Sequence, residues 1–118
     1  MNYLCLIYSD ETQWQKRAEA DAKKMMSEYM EFTDGVRKSG HYLGGNRLQP
    51  TQTASTVRIR NGKLQATDGP FAETKEQLGG YYLIEAKDLN EAIIVAGKIP
   101  GARVGSIEVR PIAPVPNM

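Results

Sequence analysis

Cysteine and histidine are the scarcest chemically reactive residues in this chain of 118 residues, which contains one of each. A single cysteine excludes an internal disulfide, and one cysteine with one histidine is too few for a structural zinc site. Phosphate-binding loops and dinucleotide fingerprints are also missing, because the paired glycines stand outside any such spacing. Cys5 lies in the apolar run 4–7, which predicts a buried, inert thiol. We therefore expect neither a metal nor another cofactor.

Excess charge of one sign and long apolar runs are also missing. Fifteen Lys and Arg balance fourteen Asp and Glu, so no basic footprint for nucleic acid is formed. The apolar run 92–96 is far shorter than the ~20 residues of a transmembrane helix, and no basic segment precedes the apolar N-terminal stretch. We therefore expect one domain over residues 1–118, in the cytoplasm, with no direct binding to nucleic acid or membrane.

The periodicity of apolar residues predicts an alternation of strands and helices. Residues 2–8 are typical of a strand that is apolar on both faces, and residues 18–38 have the spacing of an amphipathic helix. Asn61-Gly62 between two alternating segments is a strong hairpin signal, with Val57 and Ile59 facing inward. The remaining predicted elements are a strand near 41–48 kinked at 44–46, a strand at 81–86, a helix after a capping box at 88–91, and a strand at 106–110.

This order of elements predicts an α+β fold with ferredoxin-like topology, in which two helices cover one face of an antiparallel sheet. The other face of such a sheet stays open. Because the first strand is apolar on both faces, we expect the open face to be buried in a symmetric homodimer.

The most elaborate segment is the loop of residues 67–76, which packs a Gly-Pro turn and several charges between two strands. Asp68 at the strand end, sheltered by Phe71, is a candidate catalytic acid or base, and a structural turn anchor is the alternative. Phe71, Glu73 and Lys75 are candidate ligand-binding residues near a pocket mouth, and a solvated, salt-bridged loop is the alternative for the two charged residues.

Four other side chains are candidate parts of a site. His41, the only histidine, is a weak catalytic candidate if the kink at 44–46 brings it near Asp68, and a surface role is the alternative. Arg58 and Tyr81 are candidate ligand-binding residues, since a guanidinium binds carboxylate or phosphate and a hydroxyl orients a substrate. Trp14, in the polar segment before the long helix, is a candidate cap of the fold or of a pocket, and simple packing is the alternative.

Residues 68–80, DGPFAETKEQLGG, resemble the hallmark of the DGPF-domain, YCII-related family. Residues 4–8, 48–50 and 107–111 are similar to the family pattern too, so the resemblance spans nearly the whole chain. It implies a dimeric α+β barrel. Most relatives are uncharacterised; one in the wider family is a dehydrochlorinase of chloroaromatic breakdown, and DGPF members are often encoded beside extracytoplasmic-function sigma factors.

The catalytic pair proposed for the wider family, a histidine early in the first helix and an aspartate near the end of the second, has no counterpart here. The first predicted helix contains no histidine, and residues 98–101 read Lys-Ile-Pro-Gly. Two hypotheses follow: a small cofactor-independent lyase or isomerase that acts on an organic acid, with Asp68 carrying the proton, or a non-catalytic ligand-binding or regulatory protein, such as a sigma-factor partner.

Overall fold

A computed structural model of the chain describes residues 1–116. Within that range the chain forms three α-helices and six β-strands. In chain order they are β1 (Asn2–Ser9), α1 (Glu11–Gln15), α2 (Glu19–Lys38), β2 (Tyr42–Arg47), β3 (Ser55–Arg60), β4 (Lys63–Asp68), β5 (Gln77–Glu85), α3 (Leu89–Ala96) and β6 (Ser106–Pro111). Short 3₁₀ helices at Thr51–Thr53 and Pro100–Arg103 complete the secondary structure.

Four strands form one antiparallel sheet in the order β2-β5-β1-β6, and β3 and β4 form a separate two-stranded hairpin. Without the hairpin, the chain runs β1-α2-β2-β5-α3-β6, with β1 in the interior of the sheet. This is the ferredoxin-like α+β topology that the sequence predicts, and the prediction is confirmed. The hairpin is an insertion between the second and third strands of that motif.

The two long helices begin and end at residues that favour those positions. α2 buries Met25, Phe32 and Val36 at helical spacing, and Gly40 beyond its end has a φ of 80°, which glycine adopts without strain. At the start of α3, the Asp88 carboxylate accepts a hydrogen bond of 2.9 Å from the amide of Glu91. These contacts explain why both helices were predicted from the sequence.

The short helix α1 was not predicted, because its residues other than Trp14 are polar and it buries none of them. A local cap forms it instead. The Asp10 carboxylate accepts hydrogen bonds from the Thr12 amide at 3.0 Å and the Thr12 hydroxyl at 2.6 Å. A helix this short has no apolar stripe for a periodicity argument to detect.

The hairpin turn is confirmed, but the predicted burial of its apolar face is wrong. Asn61 and Gly62 have φ values of 53° and 73°, as the tight turn requires. Val57, Ile59 and Leu64 share one face and are 58%, 59% and 69% exposed, respectively. Alternation identifies the residues that share a face and says nothing of what covers it, and this hairpin lies outside the main sheet.

The core lies between the helices and one face of the sheet. Tyr3 and Cys5 of β1 point to that side and are 2% and 0% exposed. Leu4 and Leu6 alternate with them on the open face and are only partly buried. The remaining core residues are Phe32, Val36, Tyr82, Ile84, Ala86, Ala92, Val95, Ala96 and Ile99.

We predict that the Cys5 thiol is unreactive in the native protein. Burial raises its pKa from 9.0 to about 11, so only about one thiol in a thousand is ionised at pH 8. Ellman's reagent at pH 8 should label the native protein on the timescale of global unfolding and label the protein in guanidinium at once. Fast labelling of the native protein would contradict the burial of Cys5, and Cys5→Ala, which lacks a thiol, gives the background.

Candidate functional site

A cavity of about 630 Å³ opens between the helices and one end of the sheet. Its walls come from α1, the part of α2 from Met25 to Arg37, and the adjoining ends of β1, β2 and β5. Pockets for small ligands usually measure roughly 300 to 1,000 Å³. The cavity therefore has room for a small organic molecule.

The cavity exists because the sheet presents glycines to the helices at this end. Gly45 of β2 pairs with Tyr82 of β5, and Gly80 precedes Tyr82 by two residues on the same face. A methyl group on Gly45 would lie 2.8 Å from Tyr82 Cδ1, and one on Gly80 would lie 2.9 Å from the Asn46 carbonyl oxygen. Larger residues do not fit at these positions, so this part of the sheet has no side chains that pack against α2.

Helix α1 is held beside the cavity by contacts with distant parts of the chain. The Glu11 carboxylate accepts hydrogen bonds from the amide of Thr51 at 2.8 Å and from its hydroxyl at 2.7 Å. The Glu11 amide donates to the side-chain oxygen of Gln77 at 2.9 Å. Since α1 buries no residue of its own, these bonds position Trp14 on the cavity wall.

Three arginines line the cavity, and the guanidinium of each lies over an aromatic ring. The guanidinium carbons of Arg17 and Arg47 lie 4.4 Å and 5.6 Å from the centre of the Trp14 ring, and that of Arg37 lies 4.8 Å from the Tyr42 ring. In the described part of the chain none of the three forms an ion pair. Stacking through the flat face of a guanidinium leaves its N–H edge available to an anion.

Two of the three acidic residues on the same wall, Asp10 and Glu11, accept hydrogen bonds from threonines. Glu11 is bound by Thr51, as described above. The hydrogen bonds from Thr12 lower the pKa of Asp10, so that carboxylate is ionised and a weak base at neutral pH. Asp34 is exposed at the cavity rim. The wall is thus of mixed charge, with its unpaired cationic groups gathered on the two aromatic rings.

Three hydroxyl groups on the cavity wall, those of Tyr29, Thr33 and Tyr82, have hydrogen-bond partners within the protein. Thr33 Oγ1 donates to the Tyr29 carbonyl at 2.9 Å and lies 2.8 Å from the Tyr82 hydroxyl. The Gly101 amide donates to the Tyr29 hydroxyl at 3.1 Å. Burial raises the pKa of both tyrosines, so both hydroxyls keep their protons at neutral pH.

Asp68 lies at the end of β4, is exposed, and is not part of the cavity wall. The turn after it is held by backbone groups: the Gly69 amide donates to the Ala54 carbonyl at 2.7 Å, and the Thr56 hydroxyl donates to the Gly69 carbonyl at 2.9 Å. Among residues 1–116 no group donates a hydrogen bond to the Asp68 carboxylate. The structure therefore gives that side chain no anchoring contact, and its catalytic role stays a prediction.

The other predicted residues of the loop and hairpin are also exposed. Phe71 is 76% exposed, so it does not shelter Asp68 from solvent, and its ring stacks with the Arg58 guanidinium at 5.3 Å. Glu73 and Lys75 are exposed and lie away from the cavity wall. Of the predicted residues, Phe71 and Arg58 contact each other.

Tyr81 and His41 lie in different hollows. Tyr81 lines the cavity, and its hydroxyl accepts a hydrogen bond of 2.9 Å from the Asn46 side chain. His41 lines a smaller hollow between α2 and α3, where its ring nitrogens contact Ser39 Oγ at 2.7 Å and Glu91 Oε1 at 3.1 Å. The Lys87 amide and then His41 lower the pKa of Glu91. His41 thus joins the start of β2 to the start of α3, away from Asp68 and the cavity.

Comparison with known proteins identifies the family of this chain. The sequence model of the YCII-related domain matches residues 1–116. The chain belongs to the YCII-related family. It is similar to a relative from Rhizobium meliloti (strain 1021), uncharacterized protein R00369, with 37% identity over 115 residues, which cover 96% of this chain and 93% of the relative.

Membership confirms the family resemblance seen in the sequence and leaves the chemistry of this YCII-related protein open. The finer placement among DGPF proteins still rests on residues 68–80. The wider family pattern has an aspartate near the end of the second long helix. This protein has Lys-Ile-Pro-Gly at residues 98–101 instead, and the Gly101 amide donates a hydrogen bond to the Tyr29 hydroxyl. Within residues 1–116, no helix is long and apolar enough to cross a membrane.

The sequence did not identify the cavity arginines of this YCII-related protein, nor did it predict that the paired glycines leave the sheet without side chains beside the cavity. Trp14 and Arg17 stand only three residues apart in the sequence, and Arg17 follows the end of α1. Gly44-Gly45 and Gly79-Gly80 signalled side-chain-free stretches on two strands, which the topology makes neighbours. Arg47 carried no local signal, because only the tertiary fold brings it to Trp14.

Proposed function

We propose that this protein binds a small organic acid in the cavity beside Trp14. The observation that carries the proposal is the set of three arginines, Arg17, Arg37 and Arg47, which stack on aromatic rings of the wall and lack ion-pair partners in the described residues. A carboxylate is the natural partner of a planar guanidinium that an aromatic ring already holds on one side.

The apolar lining supports a ligand with a flat or apolar body. Met25, Met26 and Met30 from α2 face the cavity together with aromatic rings. Methionine adapts its shape to irregular ligands and contacts aromatic rings favourably. An acid with a hydrophobic body would therefore place its carboxylate at the arginines and its body against the thioethers and rings.

Binding is the function that the groups on the wall support best, and acid–base catalysis is the second candidate. A lyase or isomerase needs a proton carrier with a pKa near the working pH. Asp10 has a lowered pKa, and the buried tyrosines have raised ones. Asp68 remains the proposed carrier, which requires the base of the hairpin to approach the bound acid. A regulatory protein that reports ligand binding to a partner, such as a sigma factor, is the non-catalytic alternative.

We predict that Trp14 fluorescence responds to carboxylates and much less to matched amides. Trp14 is the only tryptophan, so its emission reports on this cavity alone. Benzoate, phenylacetate and cyclohexanecarboxylate should perturb the emission in a saturable way, and benzamide, phenylacetamide and cyclohexanecarboxamide should bind at least about tenfold more weakly. Arg47→Gln should weaken carboxylate binding by about tenfold or more, because it removes a charge-assisted contact.

Two variants serve as controls for this titration. Arg60→Gln removes a guanidinium from the exposed hairpin, away from the cavity, and should leave affinity unchanged. Asp68→Asn should also leave affinity unchanged if Asp68 serves only a chemical step. Equal binding of acids and amides, or equal losses in Arg47→Gln and Arg60→Gln, would overturn the proposal.

We also propose that two copies associate through the open face of the sheet. Leu4 and Leu6 of β1 lie there with Leu83 of β5, next to one another in the strand pairing and only partly buried in the single chain. The exposed apolar face of the hairpin adds further surface of the same kind. A self-complementary contact across a two-fold axis would bury these residues.

Leu6→Lys should convert a dimer into a monomer without unfolding the chain. A charged group at the centre of the open face would have to be desolvated in the dimer, whereas water reaches it in the monomer. Light scattering coupled to size exclusion gives the mass, and circular dichroism checks the fold. Ile94→Lys, at an exposed apolar position on α3, is the matched control and should stay dimeric. A monomeric wild type would contradict this part of the proposal.

A further inference from the structure

The Tyr29 hydroxyl has a fixed oxygen and an unused hydrogen. Tyr29 projects from α2 into the cavity, and the Gly101 amide donates to its hydroxyl oxygen at 3.1 Å. In the described part of the chain no acceptor receives the hydrogen of this hydroxyl. A phenol held in this way is a hydrogen-bond donor ready for a ligand atom.

The neighbouring hydroxyls differ from that of Tyr29 in their hydrogen-bond partners. Because Thr33 Oγ1 gives its hydrogen to the Tyr29 carbonyl, the 2.8 Å contact with Tyr82 is made with the hydrogen of the Tyr82 hydroxyl. The Asn46 side chain donates to Tyr81 at the cavity wall. Tyr81 therefore also keeps its hydrogen, but Tyr29 is the one of these hydroxyls whose oxygen is fixed by a backbone amide and whose hydrogen has no acceptor in the described residues.

The hydrogen bond between the Gly101 amide and the Tyr29 hydroxyl requires a glycine at position 101. A methyl group there would lie 2.6 Å from the hydroxyl oxygen and 3.2 Å from Ile7 Cγ2. The amide of residue 101 can approach the phenol only because this methyl is absent. Gly101 is buried and follows Pro100 in a 3₁₀ helix, which fixes the direction of its amide.

We propose that Tyr29 donates a hydrogen bond to a second oxygen of the bound acid. This inference rests on the proposed binding of an organic acid and names its class: acids that carry a carbonyl, hydroxyl or ether oxygen besides the carboxylate. Inside a filled cavity, a ligand without that oxygen leaves the Tyr29 donor unpaired, which a dry site penalises. Tyr29 thus determines specificity, while the arginines bind the charge.

Two ligands of nearly equal shape isolate this contact. 4-Acetylbenzoate has a carbonyl oxygen where 4-isopropylbenzoate has a methyl group, and the 3-substituted pair repeats the comparison at another position. Calorimetric titration of the wild type should give a three- to tenfold preference for at least one acetyl acid, roughly the effect of one neutral hydrogen bond. In Tyr29→Phe the preference should fall to about one, with affinity for the isopropyl acid changed less than twofold.

Tyr82→Phe is the matched control, since its hydroxyl is paired with Thr33, and it should keep the preference. Gly101→Ala is a second variant that displaces the hydroxyl and keeps the phenol, and it should also lose the preference. Binding of both acids with equal affinity to the wild type, or a preference that survives in Tyr29→Phe and Gly101→Ala, would overturn the role of Tyr29 alone. Failure of all four acids to bind would overturn the proposed function as well.

Discussion

The absence of side chains at Gly45 and Gly80 is the constraint on which the rest of this site depends. Both glycines face the helices, next to Tyr82, and neighbouring atoms leave no room for a methyl group at either position. The core is filled on one side of this point by Phe32, Tyr82 and Ile84 and is left open on the other. The same packing that stabilises the ferredoxin-like layer therefore also produces the cavity.

The surroundings of the cavity follow from that opening. A wall without side chains admits a ligand, and α1 is brought to its edge by the bonds between Glu11 and Thr51. Trp14 then provides a flat surface on which Arg17 and Arg47 stack. Arginines at the edge of the cavity and hydroxyl groups on its wall suit a ligand that is an acid with a polar substituent. The cavity is thus present in a family member that lacks the histidine and aspartate pair.

Local signals in the sequence were sufficient for much of the fold. The spacing of Met25, Phe32 and Val36, the cap at Asp88 and the turn at Asn61-Gly62 each act through neighbouring residues, and each was predicted correctly. Helix α1 was not predicted, because it buries no residue and depends on contacts with Thr51 and Gln77, which lie far along the chain.

The site was harder to predict than the fold, for the same reason. The loop at Asp68 is rich in functional groups, but these groups lie at the base of an exposed hairpin rather than on the cavity. Arg47 and Trp14 meet only in the folded chain. Alternation on β3 and β4 likewise identified a shared apolar face without showing that the chain itself leaves it uncovered.

Amide chemical-shift mapping with phenylacetate tests the central claim most directly, because it locates the ligand without assuming where it binds. The account predicts saturable shifts in α1, including the Trp14 indole N–H, in Arg47 of β2, and at Gly79 and Gly80 of β5, with the amides of residues 68–76 unchanged. Shifts confined to residues 68–76, or no saturable shifts with any of the carboxylates, would contradict a binding site formed by the glycine-lined cavity.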